Sequence, residues 1–248
     1  MDKAGRKYWQ NVWKEKTINK LDLNYYTNKL LDDLFKSIFS YDNTKTICEI
    51  GCAFSAYLLY FNDEFGFQIN GCDYERISAV KTAEIYKKMG YKANIFYKDF
   101  FSNSIVNRYD ILFSWGVFEH FDNLNNSILK TRDYVNSNGY IVTVIPNMNG
   151  LVGFFQKIFN KKIYDVHIPY TKYELFKAHE NAGYKTIFCD YFGIWQMGVV
   201  NISNIKYEDK IGKILAIPGK PLFYLSKIFK KDISSKYFSP YIIYVGKK

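Results

Sequence analysis

The sequence predicts an α/β fold, a doubly wound and mostly parallel seven-stranded sheet with helices on both faces. Three observations carry this reading. From Thr44 onward, short β-branched runs alternate with longer amphipathic stretches. The runs have the usual length of strands, and several end in a glycine or an acid. Hydrophobic residues make up 48% and charged residues 23% of the 248 positions, which excludes a disordered chain and suits one domain with a sizeable core.

Five strands are expected in the first part of the chain: TKTICEI ending at Ile50, FQINGCD ending at Asp73, ANIFYKD ending at Asp99, YDILFS ending at Ser114 and GYIVTVI ending at Ile145. Helical spacing fills 56–65, 76–89 and 123–135, with Ile77, Val80, Ile85 and Met89 on one side of the second helix and Gly90 as its stop. After Pro146 the pattern is less regular. A basic amphipathic piece, GLVGFFQKIFNKK, precedes TKYELFKAHENAGYKTIFCDYF, which reads as helix, glycine stop and strand. Thr171 and Glu174 form a capping box that marks the helix start, and SPYIIYVGKK supplies a last strand.

Composition narrows the setting. No stretch has the apolar core of a signal peptide or the ~18 apolar residues of a membrane span, so a cytoplasmic protein is expected. Cys48, Cys52, Cys72 and Cys189 lack paired C-x-x-C spacing and lie in apolar runs; they read as reduced, buried thiols rather than zinc ligands. The formal charge of +10, 34 basic against 24 acidic residues, favours an anionic partner without choosing among phosphates, anionic lipid and RNA.

In open α/β sheets the ligand lies beyond the carboxyl ends of the strands. The first end, Glu49-Ile50-Gly51-Cys52-Ala53-Phe54-Ser55, offers a glycine that lets a nucleoside or amino acid approach the backbone. The second places Asp73 where a ribose diol can donate to it. The third carries Asp99 beside Phe100, an acid and a ring suited to an adenine.

These segments resemble the class I S-adenosylmethionine-dependent methyltransferases from about Tyr41 to Asp190. EIGCAFS resembles the family's first motif, GCDYE its ribose-binding strand end, KDFF its adenine-side loop, YDILFSWGVFEHF its fourth strand with a Glu-His pair, and NSNGYIVTVIPN its fifth strand. The resemblance implies a Rossmann-like sheet with an antiparallel last strand and S-adenosyl-L-methionine as cofactor. It assigns Glu49 and Gly51 to the methionine portion, Asp73 to the ribose, Asp99 and Phe100 to the adenine, and Ser114 and Trp115 to the sulfonium side. Cys52, Ala53, Tyr74 and Glu119 complete the implied cofactor-binding set. The chain then divides into an N-terminal helical lid or cap at 1–40, a cofactor-binding half at 41–146, and a substrate-side half at 147–248 with an insertion at 150–170 and an elaboration at 195–238. Ala53 and Ser55 replace two further glycines of the family's first motif, so the loop must accommodate side chains. That departure counts against a dinucleotide-binding G-x-G-x-x-G.

Methyl transfer to a hydroxyl needs a base near the methyl group. His120 and His167 are the candidates; His179 lies on a surface-like stretch and is expected to be solvated. Neighbours on a helix point about 100° apart, so Glu119 and His120 are not expected to converge on one atom. Some quinone O-methyltransferases of this family hold a divalent metal with a carboxylate three residues before that Glu. Gly116 occupies the position here, and no metal is expected. Ser-Trp-Gly-Val after the fourth strand fits neither an adenine or amide N-methylase nor a cysteine-dependent cytosine methylase, which leaves a hydroxyl acceptor. The expected substrate is a small anionic molecule such as a sugar or sugar phosphate of a bacterial surface polysaccharide. Alternatives are a lipid-linked or quinone acceptor, an RNA or protein substrate, and a non-catalytic nucleoside-binding relative. Nucleic acid would require a continuous basic face with interleaved aromatics. Tyr8, Trp9 and Trp13 read as one face of a short helix, either a lid or a packing helix. GLVGFFQKIFNKK and IGKILAIPGKPLFYLSKIFKK mix lysines with bulky apolar residues, the pattern both of membrane-surface contact and of core helices with snorkelling lysines.

Overall fold

Alternating side chains of the central strands feed two separate cores, and this builds the layers. Ile47, Phe113, Val142 and Ile243 enter a cluster with Leu31, Phe35 and Phe61, while Cys48, Leu112, Ile141 and Ile242 enter one with Ile128, Leu175 and Tyr184. Strands apolar on both faces belong inside a sheet covered on both faces. The computed structural model describes residues 3–13, 16–101, 107–202, 206–219, 221–222, 224–225 and 234–248.

The described elements run α1 (Arg6–Val12), α2 (Tyr26–Ile38), β1 (Thr46–Ile50), α3 (Tyr57–Phe65), β2 (Gln68–Asp73), α4 (Arg76–Lys88), β3 (Ala93–Tyr97), β4 (Tyr109–Trp115), α5 (Leu124–Thr131) and β5 (Val135–Pro146). They continue as α6 (Leu151–Phe159), α7 (Lys161–Asp165), α8 (Lys172–Asn181), β6 (Lys185–Phe192), α9 (Glu208–Ala216) and β7 (Tyr241–Lys247). Seven strands form one sheet in the order β3-β2-β1-β4-β5-β7-β6. β1 to β5 pair in parallel, and β7 is antiparallel to both β5 and β6. Chain order reverses between β1 and β4, so their carboxyl ends open the crevice where such sheets bind ligands.

Two elements differ from the sequence reading. In α4 the expected apolar side faces outward, with Ile77 56% and Val80 50% exposed, whereas Ser78, Ala79, Thr82 and Tyr86 are buried. Polar contacts set this rotation: Tyr86 donates its hydroxyl to Ser55 O at 2.6 Å, and Thr82 Oγ1 accepts from Phe54 N at 2.9 Å. The helix is docked on the loop after β1. The predicted helix at 123–135 ends at Thr131, a 3-10 turn spans Arg132–Tyr134, and β5 starts at Val135. There Val135 pairs with Tyr109, ahead of a register shift in the β4–β5 ladder.

Segments after β5 and after β6 share a small core of Met148, Val152, Met197, Val200 and Leu215. Gly153 permits it, because a Cβ there would stand 1.8 Å from Met148 O. The capping box of Thr171 and Glu174 opens α8. No described helix is long and apolar enough to cross a membrane. Cys48, Cys52 and Cys72 are buried free thiols, and Cys189 is half-buried.

Candidate functional site

A cavity of about 810 Å³ opens at the carboxyl ends of β1, β2 and β4. The loop that forms its floor is strapped to β2: Gly51 N and Cys52 N both donate to Cys72 O, at 2.8 and 3.2 Å. Gly51 has φ +72°, and a Cβ on it would lie 2.7 Å from Val117 Cγ2. Three residues later the burden of left-handed backbone falls on Phe54, φ 53°, rather than on a glycine. Its amide is held by Thr82, which is how a glycine-poor loop keeps its turn.

Two carboxylates dominate the electrostatics. Asp73, at the end of β2, accepts from Ala53 N at 3.2 Å through Oδ2 and from Glu75 N at 2.8 Å through Oδ1. Burial pushes its pKa up to about 6, against those backbone donors. Glu49, at the end of β1, is fully buried, and its Oε2 has no hydrogen-bond partner. Burial pushes it up to about 8, with the Ser55 hydroxyl opposing and Asp73 adding to the rise. Such a pair is uncomfortable alone and suits a cationic ligand with hydroxyl donors.

Aromatic rings close the cavity. Trp115 stacks on Tyr57 with centroids 4.2 Å apart, Trp13 of the N-terminal segment stacks on Phe54 at 5.7 Å, and Trp9 meets the His120 ring edge-on at 5.2 Å. Gly5, Arg6, Trp9 and Trp13 all line the cavity, so α1 forms part of its wall.

The Glu-His pair lies on a 3-10 turn, Phe118–His120, rather than on an α-helix. Contrary to the sequence reading, the neighbours converge: His120 Nε2 stands 3.7 Å from Glu119 Oε1. His120 Nδ1 donates to Val166 O at 2.9 Å, and His167 Nδ1 donates to Ile163 O at 2.6 Å. The two imidazole centroids are 4.6 Å apart. Desolvation and the neighbouring His120 push His167 down to about 4. Among the described residues, Glu119, His120 and His167 are the group able to hold a metal ion, one ligand atom from each lying within 4.8 Å of the others.

Of the residues singled out in the sequence, Glu49, Gly51, Ala53, Asp73, Tyr74, Asp99, Phe100, Trp115 and His120 line the cavity. Cys52, Ser114, Glu119 and His167 are not in its wall. The Cys52 side chain turns toward β2, where a Cβ on Gly71 would meet its Sγ at 2.8 Å. Ser114 is buried in β4 with an unpartnered Oγ. His179 is not solvated. It is fully buried, donates from Nδ1 to Leu175 O at 2.8 Å, accepts from Thr143 at 3.0 Å, and stacks on Tyr244 at 3.8 Å. The apolar face of α8 carries it inward.

The sequence reading missed Arg6, Tyr57, Lys98, Asn126 and Lys130 on the cavity wall. Lys98 follows β3 directly and Tyr57 opens α3, so position next to a strand end was the available signal. Nothing local marks Arg6 or Lys130.

No protein-family model matches the sequence, and no curated protein matches it. Solved structures do. Geranyl diphosphate C-methyltransferase from Streptomyces coelicolor A3(2), in complex with Mg2+, geranyl diphosphate and S-adenosyl-L-homocysteine, aligns with a TM-score of 0.65 at 11% identity, over 98% of this chain and 96% of that one. A SAM dependent methyltransferase from Archaeoglobus fulgidus aligns at 0.56 and 17% identity, over 97% and 98%. The [4+2]-cyclase SpnF aligns at 0.56 and 12% identity, over 89% and 80%. Identities this low speak to architecture, and the cyclase shows that this architecture hosts more than one chemistry. The alignments span nearly the whole chain, and its mostly parallel seven-stranded sheet with the antiparallel β7 has the fold of the class I S-adenosylmethionine-dependent methyltransferases.

Proposed function

We propose that the protein binds S-adenosylmethionine and transfers its methyl group to a hydroxyl of a small anionic acceptor, of the sugar or sugar phosphate class. The observation that carries this reading is the pair of buried carboxylates, Glu49 and Asp73, side by side at strand ends in an aromatic-walled cavity. Glu49 fits the ammonium group of the methionine portion, and Asp73 fits the ribose hydroxyls. Phe100 and Asp99 border the region left for the adenine. The cofactor supplies an activated methyl on a sulfonium, and the chain's own residues align the acceptor with it, exclude water and handle a proton.

His120 is the residue placed to take that proton. Its Nδ1–H is committed to Val166 O, so the lone pair of the neutral ring is on Nε2. The buried Glu119 carboxylate stabilises the imidazolium formed, and the His167 ring packs beside it with centroids 4.6 Å apart. Arg6, Lys98 and Lys130 on the cavity wall favour an anionic acceptor.

The deciding measurement is thermal unfolding with S-adenosylhomocysteine and, in parallel, with NAD. A ligand at about 100 times its Kd stabilises by ~2.7 kcal/mol, so a clear rise in Tm with S-adenosylhomocysteine and none with NAD is expected. The absence of a shift at saturation would overturn the cofactor assignment. Turnover with a panel of hydroxylated anions then tests the acceptor class.

A further inference from the structure

Helices α6 and α9 turn apolar side chains toward water. On α6, Phe154 and Ile158 are 57% and 58% exposed; on α9 and its C-cap, Ile214 and Ile217 are 63% and 65% exposed. The inward faces are already satisfied. Val152 of α6 and Leu215 of α9 pack into the same small core, and Gly153 and Gln156 of α6 are buried with them.

The outward faces share one composition. Phe154, Lys157 and Ile158 follow an i, i+3, i+4 stripe along α6, and the exposed Lys161 opens α7 directly after it. Lys210, Lys213, Ile214 and Ile217 repeat the same spacing along α9. The acids nearby are few: Asp165 is bridged by Lys161, and Glu208 and Asp209 occupy the first turn of α9. Exposed apolar residues scattered singly mean little. Bulky apolar side chains interleaved with lysines, on each of two helices that share a core, match the face of an interfacial helix, with apolar groups for the acyl boundary and ammonium groups for headgroup phosphates. The net charge of +10 adds long-range attraction to an anionic surface.

We propose that the exposed faces of α6 and α9 dock on an anionic phospholipid bilayer. The proposal rests on these exposed faces and not on the methyl-transfer reading.

The test uses the full chain and co-sedimentation with vesicles of phosphatidylcholine alone or enriched in phosphatidylserine. Binding to the anionic vesicles, little to the neutral ones, and release as salt rises from about 0.1 M to about 1 M are expected, because the screening length falls from ~10 Å to ~3 Å. Each lysine near the surface is worth roughly fivefold in partitioning, so K157Q/K161Q/K210Q/K213Q should weaken binding by roughly 600-fold. F154S/I158S and I214S/I217S should each weaken it while leaving Tm unchanged, since these side chains are already exposed. Equal binding to both vesicle types, no binding, or indifference to all three variants would overturn the proposal. So would a dimer in sedimentation velocity that the serine variants dissociate while vesicles fail to bind, which would assign the face to a second copy of the chain.

Discussion

His120 Nε2 and Glu119 Oε1 lie 3.7 Å apart although the residues are neighbours in the chain, because a 3-10 turn rather than an α-helix carries them. The tighter turn and the anchoring of His120 to Val166 O swing the ring toward the carboxylate. The consequence is a buried imidazole anchored at Nδ1 with a carboxyl group beside Nε2.

Removing that imidazole should separate chemistry from cofactor binding. His120→Ala is expected to lower kcat on the order of 10²-fold or more, with S-adenosylhomocysteine affinity changed less than threefold, roughly the value of one general base. Glu119→Gln should give a smaller loss in kcat and shift its pH profile. Steady-state turnover and calorimetric titration on the same preparations check both; parallel losses in kcat and affinity would refute the assignment.

Glu49 makes cofactor binding pH-dependent with a definite sign. Its pKa in the folded protein, about 8, lies above its ordinary value of 4.5 because burial disfavours the ion. The stability it contributes to the empty protein is therefore fully present below about 4.5 and is lost as pH rises through about 8. A cationic ligand favours the ionised form, so affinity should rise with pH toward a plateau above about 8. Glu49→Gln should flatten this rise and weaken binding by about 1.5–3 kcal/mol, the worth of a hydrogen bond to a charged group. Titrations across that pH range decide it, and a flat wild-type profile would count against Glu49 as the ammonium partner.

His179 contributes to stability in the opposite pH sense. Full burial holds its pKa down to about 3 against an ordinary 6.5, so it folds neutral. Its contribution is present above about 6.5 and is lost as pH falls toward about 3. His179→Ala should cost about 2–4 kcal/mol through the cavity and the stranded Thr143 hydroxyl. Denaturant unfolding at several pH values should show the penalty shrinking as pH falls; a penalty independent of pH would contradict a buried neutral imidazole.

At Gly51 the backbone conformation and the space both exclude a side chain. Gly51→Ala meets a φ of +72° and a Val117 methyl 2.7 Å away, and about 1–3 kcal/mol of stability should be lost. Adding Val117→Ala should recover part of that loss by clearing the contact. A double variant no more stable than the single one would place the whole effect in the backbone.

Much of the fold was legible because its signals are local. Five strand ends fall within two residues of the expected positions, and Glu49, Gly51, Asp73 and Asp99 do meet at one cavity, since parallel strands in register carry their carboxyl ends to the same edge. Helix orientation was less legible. Ile77 and Val80 outline an apolar side of α4, yet the hydrogen bond Tyr86 donates to the loop after β1 and the one Thr82 accepts from it turn the opposite side inward. His179 looks like a surface residue until Thr143 and Tyr244, far along the chain, enclose it.

The sequence by itself determined the strand order of motifs, the acids at the strand ends and the class of fold, because periodicity and turn chemistry act over a few residues. Only the tertiary structure decided that Trp9, Trp13 and Arg6 wall the cavity, that His167 lies against His120 from 47 positions along the chain, and that α6 and α9 keep an apolar and basic face to water. Those outcomes depend on which segments share a core. That is settled by the packing of distant side chains, which no local pattern encodes.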